Sequence, residues 1–156
     1  MSVRVAKSAG FCFGVSRAVE LVEQAAKAGK KVVTLGPIIH NHHVVDKFRA
    51  LGVEVIDTPE QACPGQTVII RSHGVSRAVY EELQRRGVEI IDATCPFVKR
   101  IHGIVSRAEE EGQLPVIIGT PTHPEVEGIA GWCSRCAGRA RRSQWPESDS
   151  QSPSPE

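Results

Sequence analysis

Two patterns of apolar residues alternate along this chain. Val32-Val33-Thr34-Leu35, Thr67-Val68-Ile69-Ile70 and Val88-Glu89-Ile90-Ile91-Asp92 are short, rich in β-branched residues and nearly continuous in their apolar character. Such runs predict strands buried on both faces, as in a parallel sheet. Between them apolar residues recur at helical spacing: Val15, Ala18, Val19, Val22, Ala25 and Ala26, then Val44, Val45, Phe48 and Leu51, and later Val98, Ile101 and Val105. Weaker signals add strands at Val3–Val5, Val53–Ile56 and Leu114–Ile118, a helix from about Ser76 to Arg86, and a short last helix after Glu125. Strands and helices alternating at this length predict an α/β fold with mainly parallel sheets and flanking helices.

Two segments echo each other. Gly14-Val15-Ser16-Arg17-Ala18-Val19 recurs letter for letter as Gly74 to Val79, and Gly52-Val53-Glu54-Val55-Ile56-Asp57 returns in modified form as Gly87 to Asp92. Both pairs are expected in equivalent strand–helix contexts, either by reuse of one supersecondary unit or by chance. The character of the chain breaks after Cys133. Ser134 to Glu156 holds no Val, Ile, Leu, Phe or Met, too little apolar surface to order itself. The expectation is a premature end of the folded chain followed by a disordered, unrelated tail, as a frameshift gives.

Composition narrows the function classes. Hydrophobic and charged contents of 40% and 24% are those of a globular protein, and a net charge of +1 supplies no attraction toward nucleic acid or an anionic membrane. No apolar run reaches the length of a membrane span. The first residues resemble neither a signal nor a transit peptide, so the expected location is cytoplasmic. Five cysteines at irregular spacing argue against a disulfide framework and for metal binding or reactive thiols.

The candidate chemistry lies where strands end. Cys12, His40, His73, Cys95, His123 and Glu125 each follow an expected strand, in loops with Gly, Pro or Thr neighbours. In an open parallel sheet such loops share one rim, where ligands bind. Cys95 precedes Pro96, a favoured first helical residue, so its thiol sits at a helix amino end that favours the thiolate. Histidines and helix N–H groups suit phosphate oxygens, two thiolates suit iron–sulfur or zinc, and a nearby carboxylic acid can deliver a proton. His42, His43 and His102 lie at a helix start or within a helix and are read as non-catalytic. Cys63 has no motif around it, and the Cys133-x-x-Cys136 spacing is read as incidental.

The ordered motifs carry a resemblance. Gly10-Phe11-Cys12-Phe13-Gly14-Val15, Ile39-His40-Asn41, Ser72-His73-Gly74-Val75, Asp92-Ala93-Thr94-Cys95-Pro96 and Thr122-His123-Pro124-Glu125-Val126-Glu127-Gly128 resemble, in order, those of the 4-hydroxy-3-methylbut-2-enyl diphosphate reductases. These are iron–sulfur oxidoreductases of the methylerythritol phosphate route to isoprenoids. The resemblance runs from about Met1 to Trp132. It implies the first α/β unit (1–95) and part of the second (96–133) of a three-unit trefoil around a [4Fe–4S] cluster held by three cysteines, with 134–156 outside it. It implies Cys12 and Cys95 as two cluster ligands, His40, His73 and His123 as ligands of the substrate diphosphate, and Glu125 as proton donor. The implied partners are an allylic diphosphate substrate and a reduced ferredoxin or flavodoxin, with no nucleic acid or membrane. The products would be isopentenyl and dimethylallyl diphosphate. The third cysteine, a threonine and a Ser/Asn diphosphate motif of that family have no counterpart here, so the expectation is a truncated chain of uncertain activity. The alternatives are a zinc module using Cys12, Cys95, Cys133 and Cys136, or a non-catalytic diphosphate-binding fragment.

Overall fold

The computed structural model describes residues 2–139. At its centre four parallel strands, β1 (Val32–Leu35), β2 (Glu54–Ile56), β3 (Thr67–Ile70) and β4 (Glu89–Asp92), lie in the order β2-β1-β3-β4. The two inner strands are buried at every residue. Their apolar runs are continuous because side chains alternate between two covered faces.

On one face Val32 and Ile69 meet Ala18, Val22 and Ala25 of α1 (Phe13–Lys27) and Phe48 of α2 (His42–Ala50). On the other face Val33, Leu35, Val68 and Ile70 meet Leu83 of α3 (Arg77–Arg85) and Ala62 of the loop before β3. Each large aliphatic side chain buried this way contributes about 1.5–3 kcal/mol. The apolar stripes of α1 and α3 are therefore what fix those helices on the sheet.

Connectivity creates the feature that matters for function. From β1 the chain moves outward through α2 to β2, whereas from β3 it moves the other way through α3 to β4. The loops after β1 and β3 diverge, leaving a crevice at the carboxyl ends of the two inner strands.

The structure corrects three expectations. Val3 and Val5 are 90% and 80% exposed and form no strand, because two alternating apolar residues with no neighbouring ladder bury nothing. The last expected strand shortens to β5 (Val116–Ile118) and stands outside the main sheet. It pairs in parallel with β6 (Ala137–Arg139), which falls inside the stretch expected to be structureless. Residues 140–156 of that stretch lie outside the described residues. α4 (Pro96–Glu110) leads from β4 to β5, and α5 (Pro124–Ala130) joins β5 to β6. Among the described residues no helix is long and apolar enough to cross a membrane.

Candidate functional site

Three turns are laced together at the crevice. Ser72 Oγ, after β3, donates to the carbonyl of Ile38, after β1, at 3.3 Å. The amide of Cys95, after β4, donates to the carbonyl of Ser72 at 2.9 Å. From α1, Arg17 reaches the carbonyls of Asp92 at 3.3 Å and Thr94 at 3.4 Å. Gly36 has φ +69°, and a Cβ there would lie 2.6 Å from Arg71 Nη1. The missing side chain lets a guanidinium lie across the β1 turn.

These turns bring the histidines together. The rings of His40 and His73 are 5.0 Å apart, and those of His73 and His123 are 5.9 Å apart. His123 reaches the group from the loop after β5. Its Nδ1 accepts the amide of Glu125 at 3.2 Å, capping α5 and placing half-buried Glu125 in the first helical turn. Burial, with smaller contributions from His40, Arg71 and His123, pushes the His73 pKa down to about 4. His73 Nδ1 is buried and has no hydrogen-bond partner. A neutral imidazole flanked by two more imidazoles and Arg71 is a set of donors lacking an anion.

The cysteines occupy helix amino ends. Cys12 is the N-cap of α1 and exposed; Cys95 is the N-cap of α4 and half-buried. Neither side chain caps its helix by a hydrogen bond, so both sulfurs are free to take another partner. The helices adjoin there, because a Cβ on Gly14 would lie 2.7 Å from Cys95 Sγ. Two thiols at neighbouring helix amino ends are a soft donor pair. As donors they suit a thiolate-ligated iron or zinc centre, but they are only part of a ligand set. Among the described residues no three His, Cys, Asp or Glu side chains are grouped to hold a metal ion. Cys133 and Cys136 lie beside each other, their Cα atoms 6.0 Å apart, and among the described residues they are not grouped with Cys12 and Cys95 into a four-cysteine zinc arrangement. Cys63 is exposed in its loop.

Sequence reasoning missed Arg17, Arg71 and Ser72 as parts of this site. Arg71 and Ser72 stand directly before His73, at the end of β3, which was the available signal. Arg17 lies in the middle of a helical run, and nothing in its spacing distinguishes it from a solvent-facing arginine.

Residues 3–143 match the family model described as LytB protein. The chain is 46% identical over 141 residues to the 4-hydroxy-3-methylbut-2-enyl diphosphate reductase of Thermoanaerobacter sp. (strain X514), covering 88% of this chain and 49% of that protein. It is 45% identical over 140 residues to the same-named protein of Aquifex aeolicus, covering 89% and 48%. Among solved structures it is similar to (E)-4-hydroxy-3-methyl-but-2-enyl diphosphate reductase, the terminal enzyme of the non-mevalonate pathway, with a TM-score of 0.75 and 44% identity over 87% of this chain and 50% of that one. A reductase structure from Plasmodium falciparum aligns with a TM-score of 0.80 at 32% identity, over 84% and 42%. The chain thus spans about half the length of the curated relatives it matches.

Proposed function

Because this chain belongs to the LytB family, we propose that it carries the diphosphate-binding and first thiolate-donating part of a 4-hydroxy-3-methylbut-2-enyl diphosphate reductase. The observation that carries the reading is the meeting of His40, His73 and His123 at the sheet crevice, beside the turn that ends in Cys95. On this reading residues 1–95 are the first unit and 96–133 open the second.

The substrate's diphosphate lies against His40, His73 and His123, with Arg71 adding positive charge from the β3 turn. The amino ends of α1 and α4 present Cys12 and Cys95 as two thiolate ligands of a [4Fe–4S] cluster. When bound, that cluster supplies electron transfer to the substrate. The overall change breaks the allylic C–O bond, consumes two electrons and two protons, and releases water. The electrons come from a reduced ferredoxin or flavodoxin. Glu125, held in the first turn of α5 by the His123 cap, gives a proton to the departing oxygen. The remaining allylic skeleton takes the second proton at either end, giving isopentenyl or dimethylallyl diphosphate.

Two ligands are thereby assigned to two sets of residues. Calorimetric titration with inorganic pyrophosphate should show binding that falls about ten- to a hundredfold in His40→Ala and in His73→Ala. The same titration on Cys95→Ser should be unchanged. Anaerobic iron and sulfide loading, followed by absorbance, should show the opposite dependence. Equal pyrophosphate affinity in all three variants sinks the proposed diphosphate site.

A further inference from the structure

The helix that carries Glu125 and is capped by His123 meets the first unit at two close approaches. Gly128 of α5 is buried, and a Cβ there would lie 3.5 Å from the His73 carbonyl oxygen and 3.7 Å from that of Gly74. Just past the carboxyl end, a Cβ on Gly131 would lie 2.1 Å from Ser76 Cβ, and the Gly131 carbonyl accepts the amide of Arg77 at 3.3 Å. That bond ties the carboxyl end of α5 to the start of α3. At the amino end, the bond from the Glu125 amide to His123 Nδ1 is local to α5. It shapes that end but does not set where it sits on the sheet.

A pair of opposite charges flanks the Gly128 contact. Arg71 stands two residues before His73, and Glu127 one residue before Gly128. Both line one cavity of about 150 Å³, together with Gly36 and Pro124. The guanidinium fills the space that a side chain at Gly36 would take, since a Cβ there would lie 2.6 Å from Nη1 and 3.5 Å from Cδ of Arg71.

Arg71 is not placed there for stability. It is half-buried, and its Nε is buried without a hydrogen-bond partner. Burial pushes its pKa down, and the negative charge of Glu127 opposes that shift. A desolvated cation with an unmatched donor costs free energy that an apolar side chain of similar length would not. The charge therefore points to a role other than holding the fold.

We propose that Arg71 is a positioning residue: seated in the space left by Gly36, it draws Glu127 toward the β3 turn and so fixes the amino end of α5, with His123 and Glu125, against His40 and His73. The attraction acts across a cavity walled by protein, where charges are screened less than in water. This role rests on reading the crevice as the diphosphate site, and it adds to the direct pull of Arg71 on the anion. The two actions have opposite signatures at Glu127. A carboxylate beside an anion repels it, so by charge alone removal of the Glu127 charge tightens binding. Acting through α5, the same removal weakens it.

The test is calorimetric titration of the full 156-residue chain with inorganic pyrophosphate, for Arg71→Met, Glu127→Gln and the double variant. Arg71→Met should bind about tenfold more weakly and Glu127→Gln about threefold, with the double variant no weaker than Arg71→Met because the two share one interaction. In the ligand-free chain, both single variants should speed amide exchange over Val126–Ile129, while the urea midpoint of Arg71→Met does not fall. Tighter binding by Glu127→Gln overturns the role, as do additive losses in the double variant or unchanged exchange in α5. Should the unaltered chain bind no pyrophosphate, the diphosphate reading falls, and the exchange rates alone still decide whether Arg71 and Glu127 seat α5.

Discussion

Adding one methyl group at Gly14 tests how the two cysteine-bearing helices meet. Gly14 is buried in the first turn of α1, and a Cβ there would lie 2.7 Å from Cys95 Sγ and 3.1 Å from Cys95 Cβ. Alanine is favoured over glycine in a helix by about 1 kcal/mol. Forcing a methyl into a filled site costs about 1–3 kcal/mol. The two effects oppose each other, so Gly14→Ala should leave stability unchanged or lower it by up to about 2 kcal/mol. Gly103 is the control: it is also helical, but no atom lies within 4 Å of its absent Cβ. Gly103→Ala should therefore stabilise by about 1 kcal/mol. Urea melts followed by circular dichroism give both values. Because relief of the overlap requires the Cys95 thiol to swing outward, Gly14→Ala should also speed alkylation of Cys95, read by mass spectrometry, and weaken anaerobic iron loading. If the two alanine variants are equally stabilised and Cys95 alkylates at its original rate, the close packing of α1 on Cys95 is wrong.

Four further outcomes are expected. His73 titrates near 4 when folded against about 6.5 when unfolded, so unfolding takes up a proton between those values; the stability is full above pH 6.5 and falls as pH drops toward 4, and His73→Phe should flatten that part of the pH profile of the urea midpoint. Pyrophosphate raises the His73 pKa by placing negative charge beside it, so calorimetry near pH 5.5 in buffers of different ionisation enthalpy should show proton uptake on binding in the unaltered chain and less in His73→Phe. Leu83 is fully buried under the sheet, and Leu83→Ala should lower the unfolding free energy by about 2–5 kcal/mol. Arg17→Met keeps the length of the side chain but loses its bonds to the Asp92 and Thr94 carbonyls; it should loosen the Cys95 turn, seen as faster amide exchange at Thr94 and Cys95, while the pyrophosphate affinity of the histidines is retained.

What could be read from the sequence follows from how strongly each element is buried. β1 and β3 were legible because strands covered on both faces must be apolar throughout, and few other short elements produce such a run. β4 was legible from its Ile90-Ile91 pair, but as an edge strand it is only half-covered rather than buried on both faces as its run predicts. The rim histidines and cysteines were legible because strand ends and helix starts leave separate marks, and both marks flank most of these residues. The repeated hexapeptide shows where local reading stops. In its first copy Gly14 and Ser16 are already inside α1, behind the Cys12 cap. In its second, Gly74 has φ +73° and Ser76 is itself the N-cap of α3, accepting the amide of Val79 at 3.4 Å. The same six letters begin a helix at different points, because neighbouring turns decide which residue is free to cap. Arg17 and Arg77 accordingly do different work: one holds carbonyls at the Cys95 turn, and the other covers Trp132 and donates to Ser106. No strand precedes the first copy, so the contexts are not equivalent. The position of Arg71 over Gly36 depends on β1 and β3 being neighbours, which no local pattern encodes.

The strand order has a consequence for how this protein is made. β1 waits for β3, thirty-five positions later in register, before its second edge is filled. Yet every strand of the main sheet has been synthesised by Asp92, and both of its faces are served by helices that lie earlier in the chain. Apart from the adjoining Ala93, no residue after that point belongs to the two core clusters that close this layer. On a ribosome the four-stranded body can assemble while α4 and the second sheet are still being translated. A nascent chain arrested soon after Asp92 has cleared the exit tunnel should already resist protease across β1–β4, with the crevice formed before the residues from α5 that complete it have emerged.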